Sequence, residues 1–281
     1  MKKVNLGIDD ISILNDLYLS TSKLVVNLKD REDFFLKHRY RMYISFAEKQ
    51  KLSNLPKIPY FHKQRAQIFE SLYSSKLSSL NYIKQYRKTT SYKVCSLCGS
   101  PAAGTLDHFL PKDIYPEFSI FSKNLIPACK CNFSKNKNIS MIYHPQFFDF
   151  LENRLYYIDF LIINDSVNYR GIKMNIKPNH PYYKLIESHL VNHILKCVDG
   201  FENEMRTRLQ SLYDTPQTCI FALDSVVTSL SKQQLRKIIH NQLKRENEKF
   251  QTPNSWDSLI LSSFLKKEVF NQFFLRVNTI L

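Results

Sequence analysis

The chain has 281 residues, 43% of them hydrophobic, with 40 Lys and Arg against 25 Asp and Glu, a formal charge of +15. The hydrophobic share excludes wholesale disorder, and no apolar run reaches the roughly 18 residues of a membrane span. A balance this basic favours a polyanionic partner, nucleic acid before an anionic membrane surface.

Asp9 and Asp10 stand where a signal peptide needs its apolar stretch, so the expected location is the cytoplasm. Residues 9–50 read as helical: apolar side chains recur at three- and four-residue spacing through Ile11, Leu14 and Leu17, then Phe35, Tyr40, Tyr43 and Phe46. Pro56 and Pro59 break the pattern over 52–59, and 62–88 predicts another long basic helix. Residues 29–93 hold fifteen Lys and Arg against five Asp and Glu, interleaved with Phe34, Tyr40, Tyr60 and Phe61. That stretch reads equally as a solvated basic face over an aromatic core stripe or as a nucleic-acid groove.

Between 92 and 144 Cys, Gly, Pro and Asn concentrate and the periodicity fades. Residues 153–177 are rich in Tyr, Ile, Val and Phe and predict two or three strands. From Tyr182 to Leu281 the helical period returns in about three segments, with breaks near Thr215–Pro216 and Thr252–Pro253. No Gly/Ser linker occurs. The expected fold is mainly α within an α+β class. A basic helical region (1–91) and a β segment with a helical C-terminal region (151–281) flank a compact module (92–150).

The module carries the chemistry. Cys95 and Cys98 form a C-x-x-C turn followed by Gly99, half of a tetrahedral zinc site, and Cys129 and Cys131 supply the other half. A redox dithiol needs a thioredoxin-like strand–helix setting, which residues 90–105 lack. Between the pairs stand Asp107-His108, then Pro111 and Lys112, then Asn124-Leu125; Cys131-Asn132 and Lys135 follow. An aspartate next to a histidine on an extended strand sends the two side chains apart, one toward a cation and one toward a water. Carboxylate and carboxamide oxygens suit a hard divalent ion, and an imidazole suits a general base at neutral pH.

In this order the elements resemble the HNH endonucleases, whose fold is the ββα-metal finger, over about 45 of the 281 residues. The resemblance implies Asp107 and Asn132 as ligands of a catalytic Mg²⁺ or Mn²⁺ and His108 as the base that activates the attacking water. It also implies Asn124 as the residue that orients His108 through its amide. The four cysteines would hold a structural Zn²⁺, and Lys112, Lys135 and Lys137 would contact backbone phosphates. His144, in a His-Pro-aromatic stretch, is either a third histidine of the pattern or a packing residue. The implied reaction is phosphodiester hydrolysis to a 5′ phosphate and a 3′ hydroxyl, on DNA first and on RNA such as tRNA as the alternative. Free-standing proteins of this kind resemble anti-phage defence effectors, some working with a separate ATPase. A partner-gated subunit or a silent zinc module that binds nucleic acid are the remaining readings. One feature departs from the family: the second cysteine pair is separated by one residue, Lys130, instead of two, so either Cys129 or Cys131 would leave the site unless the turn tightens.

Elsewhere His189, His193 and Cys197 share one helix face without a metalloprotease glutamate and read as helix packing. Cys219 reads as a small core residue. The basic run 231–250 is a solvated face or a duplex-binding face with equal weight. No phosphate-cradling glycine loop and no nucleophile elbow occur.

Overall fold

Asp9 starts the first helix by accepting hydrogen bonds from the Ile11 and Ser12 amides at 3.0 and 3.1 Å, donors that no intrahelical carbonyl can reach. A computed structural model describes residues 1–26, 32–58, 63–89, 94–101, 103–135, 139–164, 166–198, 200–216 and 229–280. Pro59, Tyr60, Phe61, Lys137 and Cys219 lie outside the described residues, as does the side chain of Cys197.

The helical expectation for 9–50 resolves into α1 (Asp10–Leu19), α2 (Lys23–Val26) and α3 (Glu32–Glu48). The extended backbone of Ser20 ends α1. The expected 62–88 helix is likewise divided, into α4 (Lys63–Ser74) and α5 (Asn81–Lys88). The serine pairs 74–75 and 78–79 lie at the interruption, where hydroxyls compete with the helical backbone bonds.

In the centre, β1 (Thr105–His108) pairs antiparallel with β2 (Leu125–Ala128), with Asp107 opposite Ile126 and His108 opposite Leu125. The short helix α6 (Cys131–Ser134) follows directly. A two-stranded hairpin is marginal on its own; this one is tied to the cysteine turn by the Ser96 amide, which donates to the Pro127 carbonyl, and the helical regions hold the two pieces. From the N-terminal side, Asp10 accepts from the Ser122 amide and hydroxyl at 2.8 and 2.7 Å, and the Tyr82 hydroxyl donates to the Ile120 carbonyl. From the C-terminal side, the Trp256 indole donates to the Cys98 carbonyl at 2.8 Å, and His189 Nε2 donates to the Leu97 carbonyl at 2.7 Å.

The β segment forms two strands, β3 (Tyr156–Ile163) and β4 (Ser166–Met174), paired antiparallel with a bulge at Asp159/Phe160. Beyond it, α7 (Tyr183–His189) continues through a π turn over Leu190–Ile194 into α8 (Leu195–Cys197). Then come α9 (Phe201–Asp214), α10 (Lys232–Phe250), α11 (Trp256–Phe264) and α12 (Lys267–Ile280). There are more helical segments here than the three expected. Gly200, at φ +70°, separates α8 from α9, and Gln251 ends α10 in the left-handed region at φ +53°. At its start α10 has a reciprocal capping box between Ser231 and Gln234.

The protein is mainly helical with two small antiparallel sheets. One apolar cluster draws on all three stretches of chain, from Val4 and Tyr43 through Phe118 and Ile126 to Leu259 and Phe273. No helix among the described residues is long and apolar enough to cross a membrane.

Candidate metal centre and active site

The cysteines of the C-x-x-C turn are fully buried, and the chain returns along β2 to place Cys129 and Cys131 against them. All four sulfur atoms lie within 4.8 Å of one another, with Cys95–Cys131 and Cys98–Cys129 each at 3.6 Å. A disulfide needs a separation of about 2.05 Å, so these are free thiols. The edge of a tetrahedron with zinc–sulfur bonds of about 2.3 Å is about 3.8 Å, which the cluster matches. The cluster can hold a metal such as zinc. The single residue between Cys129 and Cys131 therefore excludes neither: α6 begins at once, and the Cys131 amide donates to the Cys129 sulfur at 3.4 Å.

Asp107 and His108 end β1, and Asn132 stands in the first turn of α6. The hairpin brings them together. Asn132 Nδ2 donates to Asp107 Oδ2 at 2.6 Å, while Asn132 Oδ1 is buried with no hydrogen-bond partner among the described residues. Burial pushes the Asp107 carboxyl up, but the neighbouring His108 ring and hydrogen bonds from the His108 amide and from Asn132 outweigh it and hold the group at about 2. The two side chains do not diverge as strand geometry alone suggests. Asp107 Oδ1 accepts the His108 amide at 2.7 Å and lies 3.5 Å from His108 Nδ1. His108 Nε2 donates to the Ser119 carbonyl at 2.9 Å, so the neutral ring keeps Nδ1 as its acceptor, on the Asp107 side. Asp107 retains 29% side-chain exposure against 4% for His108, so the carboxylate is the open face of the group.

Asn124 does not touch His108 through its amide. Its Oδ1 accepts from the Leu110 amide at 2.7 Å and the Tyr43 hydroxyl at 2.9 Å, and its Nδ2 donates to the carbonyls of Leu110 and Phe118. It straps the 109–118 loop, one residue short of the carbonyl that orients His108. His144 is 3% exposed and both ring nitrogens are engaged. Nδ1 accepts from the Gln146 amide, and Nε2 donates to the Tyr43 hydroxyl at 2.9 Å, which passes its own proton to Asn124. The geometry shows His144 packed in the interior and bonded to Tyr43 and Gln146.

Burial holds His144 and His189 well below the ordinary imidazole value and His193 at about 4. At these three histidines the unfolded chain thus binds more protons than the folded one below about pH 6.5, and their contribution to stability falls as pH drops from there toward 4. Chemical denaturation at pH 7.0 and 5.5 is expected to show that loss, and His144→Gln is expected to reduce it by about 1.3 kcal/mol over this interval, the share of one imidazole that is protonated only when unfolded. An unchanged loss in the variant refutes the buried neutral state.

The lysines expected on phosphates part company. Lys112 is half-buried, its ammonium 6.0 Å from the Tyr73 ring centroid. Lys135 is 1% exposed, with its ammonium 5.8 Å from the Phe109 centroid, and burial lowers its pKa to about 8 against the pull of Asp107. An ammonium so enclosed faces the module's interior, which does not match a surface phosphate contact.

Sequence reading passed over several groups at the site. Ser119 acts through its backbone carbonyl, which leaves no side-chain signature. Tyr73 packs on His108 with ring centroids 4.5 Å apart, and Arg87 lies over the same tyrosine at 4.6 Å. Both belong to the basic, aromatic-interleaved stretch, the one signal that could have found them. Arg39 and Glu117 form a buried ion pair at 2.7 Å beside the Ser119 loop. The His189–His193 pair packs behind the cysteines, with His189 stacked on Tyr143 at 3.7 Å.

No protein-family model, no curated protein and no solved structure matches the chain.

Proposed function

We propose that the chain is a metal-dependent endonuclease of HNH type that hydrolyses phosphodiester bonds in DNA. The observation that carries this is the meeting of Asp107, His108 and Asn132 where the hairpin passes into α6, with a buried carboxamide oxygen of Asn132 left without a partner. A partnerless buried acceptor beside a carboxylate is costly unless it serves a ligand. Binding nucleic acid alone calls for Lys and Arg, not for this set.

Asp107 and Asn132 would hold a Mg²⁺ or Mn²⁺ ion through oxygen, and the donor set suits a hard cation. Such an ion supplies positive charge for the phosphate and the leaving oxygen. The rest falls to the chain. The Ser119 carbonyl fixes the proton on His108 Nε2, and Nδ1 takes the proton of the attacking water. Asn124 keeps the carbonyl-bearing loop in place through Leu110 and Phe118. The four-cysteine cluster anchors α6 and therefore Asn132. Service as an anti-phage effector, alone or with an ATPase partner, belongs to the same proposal.

The test is cleavage of supercoiled plasmid and of total tRNA with Mg²⁺ or Mn²⁺ against EDTA. Cutting of the plasmid that needs the metal and falls by about 10²–10⁴-fold in His108→Ala is the expected result. Equal cutting by wild type and variant overturns the proposal, as does an inert wild type. Cutting of tRNA alone overturns DNA as the substrate.

A further inference from the structure

We propose that Arg87, held on the Tyr73 ring, is a phosphate-binding residue of the active site that grips the DNA backbone beside His108; this rests on the nuclease reading above. Three side chains converge on the Tyr73 ring. The Tyr73 ring lies 4.5 Å from the His108 ring between centroids, the Arg87 guanidinium lies 4.6 Å from the Tyr73 centroid, and the Lys112 ammonium approaches the same ring at 6.0 Å. Tyr73 is itself fixed, because its hydroxyl donates to the Leu106 carbonyl on β1, one residue before Asp107. The cation of Arg87 is thus separated from the base by one aromatic side chain whose position is set by the catalytic strand.

Arg87 is exposed, in the last turn of α5, and forms no ion pair with a carboxylate among the described residues. An arginine stacked on an aromatic face keeps in-plane N–H groups for an acceptor at its edge, and its planar fork matches a phosphate. The surrounding stretch, residues 29–93, carries fifteen Lys and Arg against five acids, so the approach is favourable for a polyanion. The inference draws the N-terminal helices into the site. Residues 92–150 then supply the cleavage chemistry, and α4 and α5 supply the hold on the strand.

The test measures binding of a fluorescently labelled 20-base-pair DNA by the full chain, in buffer without added divalent metal, across a salt series. Arg87→Ala is expected to weaken binding about tenfold at moderate salt. It is also expected to flatten the slope of log K against log salt by about 0.9, the share of one phosphate contact. Arg87→Lys, which keeps the charge, is expected to restore the slope; a slope it does not restore overturns the proposal. The control is Arg206→Ala, an exposed arginine of α9 lying over Tyr169 at 5.0 Å. If Arg206→Ala flattens the slope as much as Arg87→Ala, or if Arg87→Ala leaves it unchanged, the proposal is overturned. The two readings fail separately. Plasmid cutting lost in His108→Ala with an unchanged Arg87→Ala slope removes only this inference. Cutting that survives His108→Ala removes the nuclease reading.

Discussion

Cys98→Ser is expected to abolish zinc binding at the cluster and lower the thermal midpoint by more than about 10 °C, the shift that a loss of several kcal/mol produces in a chain of this size. The expectation follows from the geometry of the cluster. Four buried or half-buried sulfurs within 4.8 Å of one another repel as thiolates unless a cation sits among them. The consequences spread, because the C-terminal region holds the cysteine loop. Trp256 and His189 bind the carbonyls of Cys98 and Leu97, and α6 begins on Cys131. Loss of the metal therefore loosens Asn132 along with the loop. Metal analysis by mass spectrometry beside a thermal melt checks this. A preparation without zinc that melts no lower after the substitution refutes the structural metal.

Arg39→Met carries the second large effect, an expected loss of about 3–5 kcal/mol, the usual cost of leaving one member of a buried pair alone. Arg39 donates to Glu117 through Nε and Nη2 at 3.1 and 2.7 Å and to the Pro56 carbonyl at 2.9 Å, with both charged side chains almost fully enclosed. Burial already raises the Glu117 carboxyl, and Arg39 pulls it down. Without the arginine, folded Glu117 holds its proton more tightly than the unfolded chain does. Its contribution to stability is then full below about pH 4.5 and is lost as pH rises. Urea titration is therefore expected to show a smaller deficit at pH 5 than at pH 8. Replacing both partners, Arg39→Met with Glu117→Gln, is expected to recover part of the loss. A deficit below about 1 kcal/mol that does not vary with pH contradicts the role of the pair. Glu117 lies two residues before Ser119, so the same variant is expected to disturb the carbonyl that orients His108.

Much of this organisation is legible in local patterns. The helical period marks the flanking regions because it depends on neighbours three and four positions apart, and the enrichment in Tyr, Ile, Val and Phe over 153–177 marks the two strands of the second sheet. Helix boundaries were less legible. Ser20, the serine pairs after Ser74, and Gln251 end elements through backbone conformations that composition barely signals. The cysteine pairs were legible as metal-binding candidates, yet a one-residue spacing left the second pair open. It was settled by where α6 starts, which brings Cys129 and Cys131 to the sulfurs of Cys95 and Cys98.

Residue types can be read along the chain: a thiol set, a carboxylate next to an imidazole, two asparagines and a basic, aromatic N-terminal third. Tertiary structure alone decided their partners. Asn124 straps a loop and leaves His108 to the Ser119 carbonyl. His144 sits neutral in a relay with Tyr43. Lys135 is enclosed, and Tyr73 with Arg87 stands beside His108. The reason is physical. Spacing along the chain fixes only which side chains share a turn or a strand face, whereas burial, hydrogen-bond partner and local charge are set by segments tens of residues away.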